Sequence, residues 1–127
     1  LIEIKFAGIN EVKEICHRLN VEYTEGLKVY AAVEAGNPLG GCGFYIDGKQ
    51  GTLAFTYMNE AGLEPIEDGL LRASLSYMFE NGVETAISKG NISEKMLRRL
   101  GFREKDGVYV LDLLHSFLTA GCPSENS

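Results

Sequence analysis

Three β-forming runs between Lys28 and Met58 do most to narrow what this chain can fold into. Lys28 to Glu34 (KVYAAVE) is dense in β-branched and aromatic residues and stops at the turn sequence Ala35-Gly36-Asn37-Pro38. Gly41 to Ile46 is the second run, closed by Asp47-Gly48, a strong hairpin signal. Gly51 to Met58 is the third, with Phe55 and Tyr57 two residues apart and so on one face. Turns this short join antiparallel neighbours, so the three runs predict a meander.

Helical and extended patterns alternate on either side of that block. Leu1 to Phe6 sets Ile2, Ile4 and Phe6 against Glu3 and Lys5, the pattern of a half-buried strand. Ile9, Val12, Ile15, Cys16 and Leu19 recur at helical spacing, with Asn10 as N-cap and Asn20 at the end. Glu64, Pro65, Glu67 and Asp68 favour a helix start, and that helix runs to about Asn81 before Gly82 stops it. Its Ile66, Leu70, Ala73 and Tyr77 form one apolar stripe, and Leu71, Leu75 and Met78 a second nearly opposite. Two stripes require two covers, which a second layer or another copy of the chain could supply. Val83 to Ser88 reads as a short strand. Asn91 to Leu100 reads as a helix, Val108 to Leu113 as a last strand reached through Asp106-Gly107, and Leu114 to Leu118 as a closing helical turn. The order β-α-β-β-β-α-β-α-β-β gives an α/β (α+β) mixed sheet.

At 127 residues and 45% hydrophobic content the chain suffices for one domain with one real core, with a polar tail from about residue 121. A net charge of −6 without a cluster of Lys and Arg argues against nucleic acid. An acidic surface suits a cationic amine as readily as it suits plain solubility. Cys16, Cys42 and Cys122 are scattered, and His17 and His115 are the only histidines. That pattern is neither a disulfide framework nor a metal site, and it points to a reducing, cytoplasmic compartment. No stretch reads as a secretion signal or a bilayer span. Gly40-Gly41-Cys42-Gly43 lacks the following helix that a dinucleotide loop needs, so close backbone approach is the better reading. Cys16 and His17, adjacent on a helix, point about 100° apart and do not form a nucleophile–base pair.

The run Asn91 to Phe102 carries two readings. Asn91 and Glu94 are spaced as a capping box, Ile92, Met96, Leu97 and Leu100 form one stripe, and Gly101 and Phe102 suit the C′ and C″ positions. Helix physics accounts for each residue. Yet Asn-x10-Phe ending in Leu-Gly-Phe after a short strand also resembles the fourth helix of the GNAT acyltransferase superfamily. The upstream VYAAVEAGNPLGGCGFYI resembles that family's second and third strands, and the likeness extends over roughly Val29 to Leu113.

The resemblance implies a central, mostly antiparallel sheet flanked by helices, with acyl-CoA lying where the fourth and fifth strands splay. Its pyrophosphate would meet a loop of type [RQ]-x-x-G-x-[GA] at a helix start, where free N–H groups and the helix dipole favour an anion. Here the loop is Gly62-Leu63-Glu64-Pro65-Ile66-Glu67, with neither the basic position nor the glycines. The acid-bearing Tyr of many members is replaced by Leu97, which cannot donate a proton. By the same resemblance Glu60 stands nearest the acyl end as general base. Tyr57, Asn59, Gly62, Leu63, Ile66 and Asn91 would hold the acyl-CoA or substrate. Two functions stay open. One is an N-acetyltransferase passing an acetyl group from acetyl-CoA to a small-molecule or protein amine by direct attack. The other is a non-catalytic module, a GNAT-like shell that has lost ordinary acetyl-CoA binding and serves another ligand or a partner, with a homodimer one way to cover the second stripe.

Overall fold

A computed structural model describes residues 1–89 and 91–120; the expected polar tail and Cys122 lie outside the described residues. The strands are β1 (Ile2–Phe6), β2 (Lys28–Glu34), β3 (Asn37–Asp47), β4 (Gln50–Met58), β5 (Thr85–Ser88), β6 (Arg103–Lys105) and β7 (Val108–Asp112). The helices are α1 (Ile9–Leu19), α2 (Glu64–Glu80), α3 (Glu94–Arg99) and α4 (Leu113–Ala120). One seven-stranded sheet runs β1-β2-β3-β4-β5-β7-β6 and is antiparallel except where β4 meets β5. The expected meander is its centre.

Two cores sit on opposite faces of this sheet. Ala32, Cys42, Phe44 and Leu53 pack with Leu70, Leu71, Leu75 and Met78 of α2, and the cluster continues through Ala86, Met96, Leu97, Phe102 and Leu111. On the other face Val12 and Cys16 of α1 pack with Leu27 and Val29, against Tyr45 and Phe55. The two stripes of α2 are both covered within the chain. Tyr77 stacks on Phe6 (centroids 5.0 Å apart) and Phe79 on Phe117 of α4 (4.7 Å).

Local chemistry moves several element ends from their expected places. The first helix is capped by Gly8 rather than Asn10, because Glu11 reaches back to accept from the Gly8 N–H at 3.1 Å. Asn20 ends it in the left-handed region, φ 56°. The β2–β3 turn is only Ala35-Gly36, both at positive φ, and Asn37 and Pro38 already belong to β3. Proline is tolerated there because β4 pairs with β3 only from Gly40 onward, so no N–H is required on that side. Asn91 does not cap α3. Ser93 does, its hydroxyl accepting from the Met96 N–H at 3.2 Å, while Glu94 pairs with Arg98 instead. The far end follows expectation: Phe102 N–H donates to Leu97 O and Gly101 N–H to Arg98 O, a Schellman closure with Gly101 at φ 102°. Leu113 begins α4 rather than ending β7.

The glycines of β3 are explained by their cross-strand partners. Gly41 faces Tyr57 and Gly43 faces Phe55, and each aromatic ring occupies the space that a side chain on the glycine would need. A methyl group at Gly43 would come within 2.4 Å of the Phe55 ring. Gly43→Ala is therefore expected to lower unfolding free energy by about 1–3 kcal/mol, the usual cost of overpacking. Adding Phe55→Leu should recover part of the loss. Thermal melts of the two single variants and the double variant check this, and strictly additive effects would contradict the contact.

Candidate functional site

The parallel β4–β5 pair is short. It runs from Gln50 opposite Thr85 to Leu53 opposite Ser88 and ends with Lys89 N–H donating to Leu53 O at 3.2 Å. There β4 changes course. Gly43 and Phe44 of β3 face Phe55 and Leu53, which leaves Ala54 as an extra residue, a β-bulge. A bulge bends its strand and sharpens the local twist. Placed one residue past the last β4–β5 pair, it marks where the two strands part, and Phe55–Met58 run on without a β5 partner, which defines a cleft between the strands.

Asn91 reaches across that cleft. Its Oδ1 accepts from Thr56 N–H and its Nδ2 donates to Thr56 O, both at 3.2 Å. A side-chain amide thus takes the place a neighbouring strand would fill, and two backbone groups are satisfied. On the α2 side the Thr56 hydroxyl donates to Glu67 Oε2 at 2.7 Å. Thr56 is only 5% exposed, so these bonds lie largely out of water and hold β4 to both α2 and the α3 approach. Nearby, burial pushes the Cys42 thiol up to about 12, opposed by a Ser74 hydrogen bond and reinforced by Glu67. Such a thiol stays protonated and inert at neutral pH.

The start of α2 is acidic and closed. Pro65 has no N–H, and those of Ile66 and Glu67 both donate to Leu63 O at 3.0 Å. Asp68 Oδ2 accepts from Arg72 Nε at 2.8 Å, while its buried Oδ1 has no partner. On the other face, a pocket of about 410 Å³ lies between α1 and the β2–β4 end of the sheet. Its lining includes Glu11, Glu14, Arg18, Tyr57 and Asn59. Burial raises the Tyr57 hydroxyl pKa, and the Arg18 guanidinium partly offsets that.

No protein-family model matches the sequence, and no curated protein matches it. Solved structures do match the fold. A GNAT family acetyltransferase from Brucella melitensis in complex with acetyl-CoA is 17% identical, with TM-score 0.68 and 88% of each chain covered. The ribosomal-protein-S18-alanine N-acetyltransferase from Escherichia coli is 13% identical, with TM-score 0.72, covering 89% of this chain and 94% of its own. A GNAT family acetyltransferase from Staphylococcus aureus is 15% identical, with TM-score 0.66, covering 89% and 99%. The chain has the GNAT acetyltransferase fold.

Set in the GNAT fold, the residues singled out from sequence separate into three places. Asn91 is at the cleft, joined there by Thr56 and Glu67. Tyr57 and Asn59 are at the α1-side pocket, where the Asn59 N–H donates to Leu39 O and its side chain to Pro38 O, holding the β2–β3 hairpin. Glu60 is exposed in the turn beyond β4, and Gly62 continues that turn at φ 84°. Leu63 caps α2, and Ile66 packs partly against the main core. Leu97 is buried at 2% exposure, so no proton donor stands at its position. Thr56 carries a single sequence signal, a polar residue two places before Met58 on the face of β4 that meets α2.

These residues fit one end of an acyl-CoA and not the other. The α2 start, with Glu64, Glu67, Asp68 and an orphaned carboxylate oxygen, calls for a donor, the opposite of a pyrophosphate. Like charges about 4 Å apart cost on the order of 1 kcal/mol in water and more when shielded from it. At the cleft the fit is better. The Asn91 amide keeps one N–H and one lone pair beyond those bonded to Thr56, enough to pair with an amide of an acyl-pantetheine arm. Among the described residues no group of His, Cys, Asp or Glu could hold a metal ion, and no helix is long and apolar enough to cross a membrane.

Asn91→Ala should leave Thr56 with two unpaired backbone groups and cost about 1–3 kcal/mol of stability, read by chemical denaturation. A thiol reagent should leave Cys42 untouched in the folded protein and react only on unfolding; prompt reaction, mapped to Cys42 by peptide mass, would show that it is not sealed.

Proposed function

We propose that this GNAT-fold chain transfers an acyl group, most simply acetyl, from a thioester to an amine, and that it holds the donor by its acyl-pantetheine end alone. The observation that carries the reading is the parting of β4 from β5 at the Ala54 bulge, bridged by Asn91, beside an α2 start that carries Glu64 and Glu67 in its first turn. A bound acyl thioester supplies an electrophilic carbonyl for direct attack. Asn91 orients the arm through its free amide edge. The acceptor amine enters the α1-side pocket, where Glu11 and Glu14 stand with Lys5, Arg18 and Tyr57 in the lining. Glu60 is the carboxylate proposed to take the amine proton as the C–N bond forms and the C–S bond breaks, the pantetheine thiolate leaving to take its proton from water, and Tyr57 and Asn59 position the acceptor. A role for Gly62, Leu63 and Ile66 in gripping pyrophosphate is not part of this reading, because the Ile66 N–H is engaged and Pro65 has none.

A second reading has a specific observation behind it. Thr56 already has partners for its N–H, C=O and hydroxyl, and Leu97 replaces the proton-donating Tyr. That completed bonding suits a non-catalytic binding module that uses the α1-side pocket and has no acyl donor.

Calorimetric titration with acetyl-CoA and with S-acetyl-pantetheine separates the two. The donor reading expects both to bind within about threefold of one another, a difference under 1 kcal/mol. Added salt should strengthen acetyl-CoA binding by screening its phosphates from Glu64 and Glu67, and leave acetyl-pantetheine unchanged. Acetyl-CoA binding more than about tenfold tighter would show that the nucleotide end is gripped after all. Absence of binding by either at millimolar concentration would leave the module.

A further inference from the structure

The two edges of the sheet are built differently. One edge is β6, three residues long and fully charged (Arg103-Glu104-Lys105). Short, charged edge strands discourage pairing with another chain. The other edge is β1, which has no proline and no bulge in its pairing with β2. Its outer side is bare: Ile2 is 42% exposed, Ile4 37% and Phe6 43%, although all three point to the α2 face where Ala32 and Tyr30 sit in the main core. Leu1, just before β1, and Ile9, at the start of α1, are exposed as well.

We propose that β1 is an interface for a second copy of this chain, paired antiparallel about a two-fold axis through Ile4. The occupant follows from the strand's own sequence. In that register Ile4 faces Ile4 of the second copy and Ile2 faces its Phe6, so the apolar residues meet on the α2 face. Glu3 then faces Lys5 of the second copy, twice by symmetry, on the α1 face. Directly opposed residues share a face and interact most strongly, so this register matches both charge and polarity. Its neighbours do not. Moving the axis to residue 3 puts Glu3 opposite Glu3, and moving it to residue 5 puts Lys5 opposite Lys5. A shift by one residue sets apolar side chains against charged ones. A self-complementary edge is what a closed two-fold dimer requires, and closure leaves only the two charged β6 edges at the ends of a fourteen-strand sheet, twice the seven strands of one copy.

The test is the mass in solution, by sedimentation equilibrium on the unmodified chain and three variants. The chain should run at twice its 13.9 kDa mass at about 100 μM, a concentration well above a micromolar dissociation constant. Glu3→Lys sets like charges opposite one another at both symmetric positions and should weaken association roughly tenfold or more. Lys5→Glu should do the same. The double variant Glu3→Lys, Lys5→Glu exchanges the charges and should restore the dimer. Both side chains are exposed, so circular dichroism should show every variant folded. A monomer at 100 μM would overturn the proposal. So would a dimer indifferent to the single reversals, or a failure of the double variant to recover.

Discussion

The double hydrogen bond between Asn91 and the backbone of Thr56 is the contact on which the arrangement of this domain turns. At the Ala54 bulge β4 parts from β5, and a strand with unpaired N–H and C=O groups cannot stay buried unless something satisfies them. The Asn91 amide is matched to the need, one acceptor and one donor in a plane, facing one N–H and one C=O. It also fixes where the chain leaving β5 must pass, and so where α3 can begin. The cleft and the helix beside it are therefore consequences of one local solution to a backbone problem.

The start of α2 solves a different problem and thereby limits the chemistry. Carboxylates at a helix N-terminus are favourable against the helix dipole, and a proline in the first turn costs nothing because its missing N–H would be unbonded anyway. Glu64, Pro65 and Glu67 are good choices for a helix that must begin cleanly. They are poor choices for one that must receive an anion, since both the free N–H groups and the positive potential are then already engaged. Helix stability and phosphate binding draw on the same groups, and here stability has them. Glu67 goes further, because its bond to Thr56 ties the helix start to the bent part of β4.

What could be read in the sequence was whatever depends on near neighbours. The meander, the Asn20 and Gly101 helix ends and the α3 stripe all follow from residues a few positions apart. The failures share one cause. Asn91 and Glu94 have capping-box spacing, but Asn91 is drawn to a strand 35 positions away, and Ser93 takes over the cap. Nothing local distinguishes the two outcomes. Asn59 is a similar case, its amide drawn to Pro38 across the sheet. Nor could spacing show that Gly41 and Gly43 lie beneath Tyr57 and Phe55, since that depends on a register set by the bulge itself. Hence the scaffold was legible and the cleft residue Thr56 was not: it owes its place to two partners, both distant in sequence.

The same logic bears on why β1 is apolar at all. An isolated edge strand needs hydrophobic residues only on its inner face, and the contacts of Ile4 with Gly69 and of Phe6 with Tyr77 account for part of that side. They do not account for side chains that remain more than a third exposed, nor for an edge without the charge that blunts β6. In a sheet whose opposite edge is so plainly protected, leaving β1 bare would be a liability if nothing ever paired with it. A two-fold partner turns the alternation of Leu1 to Phe6 from a half-covered strand into a fully covered one, and it does so without any residue that the fold of one copy does not already use.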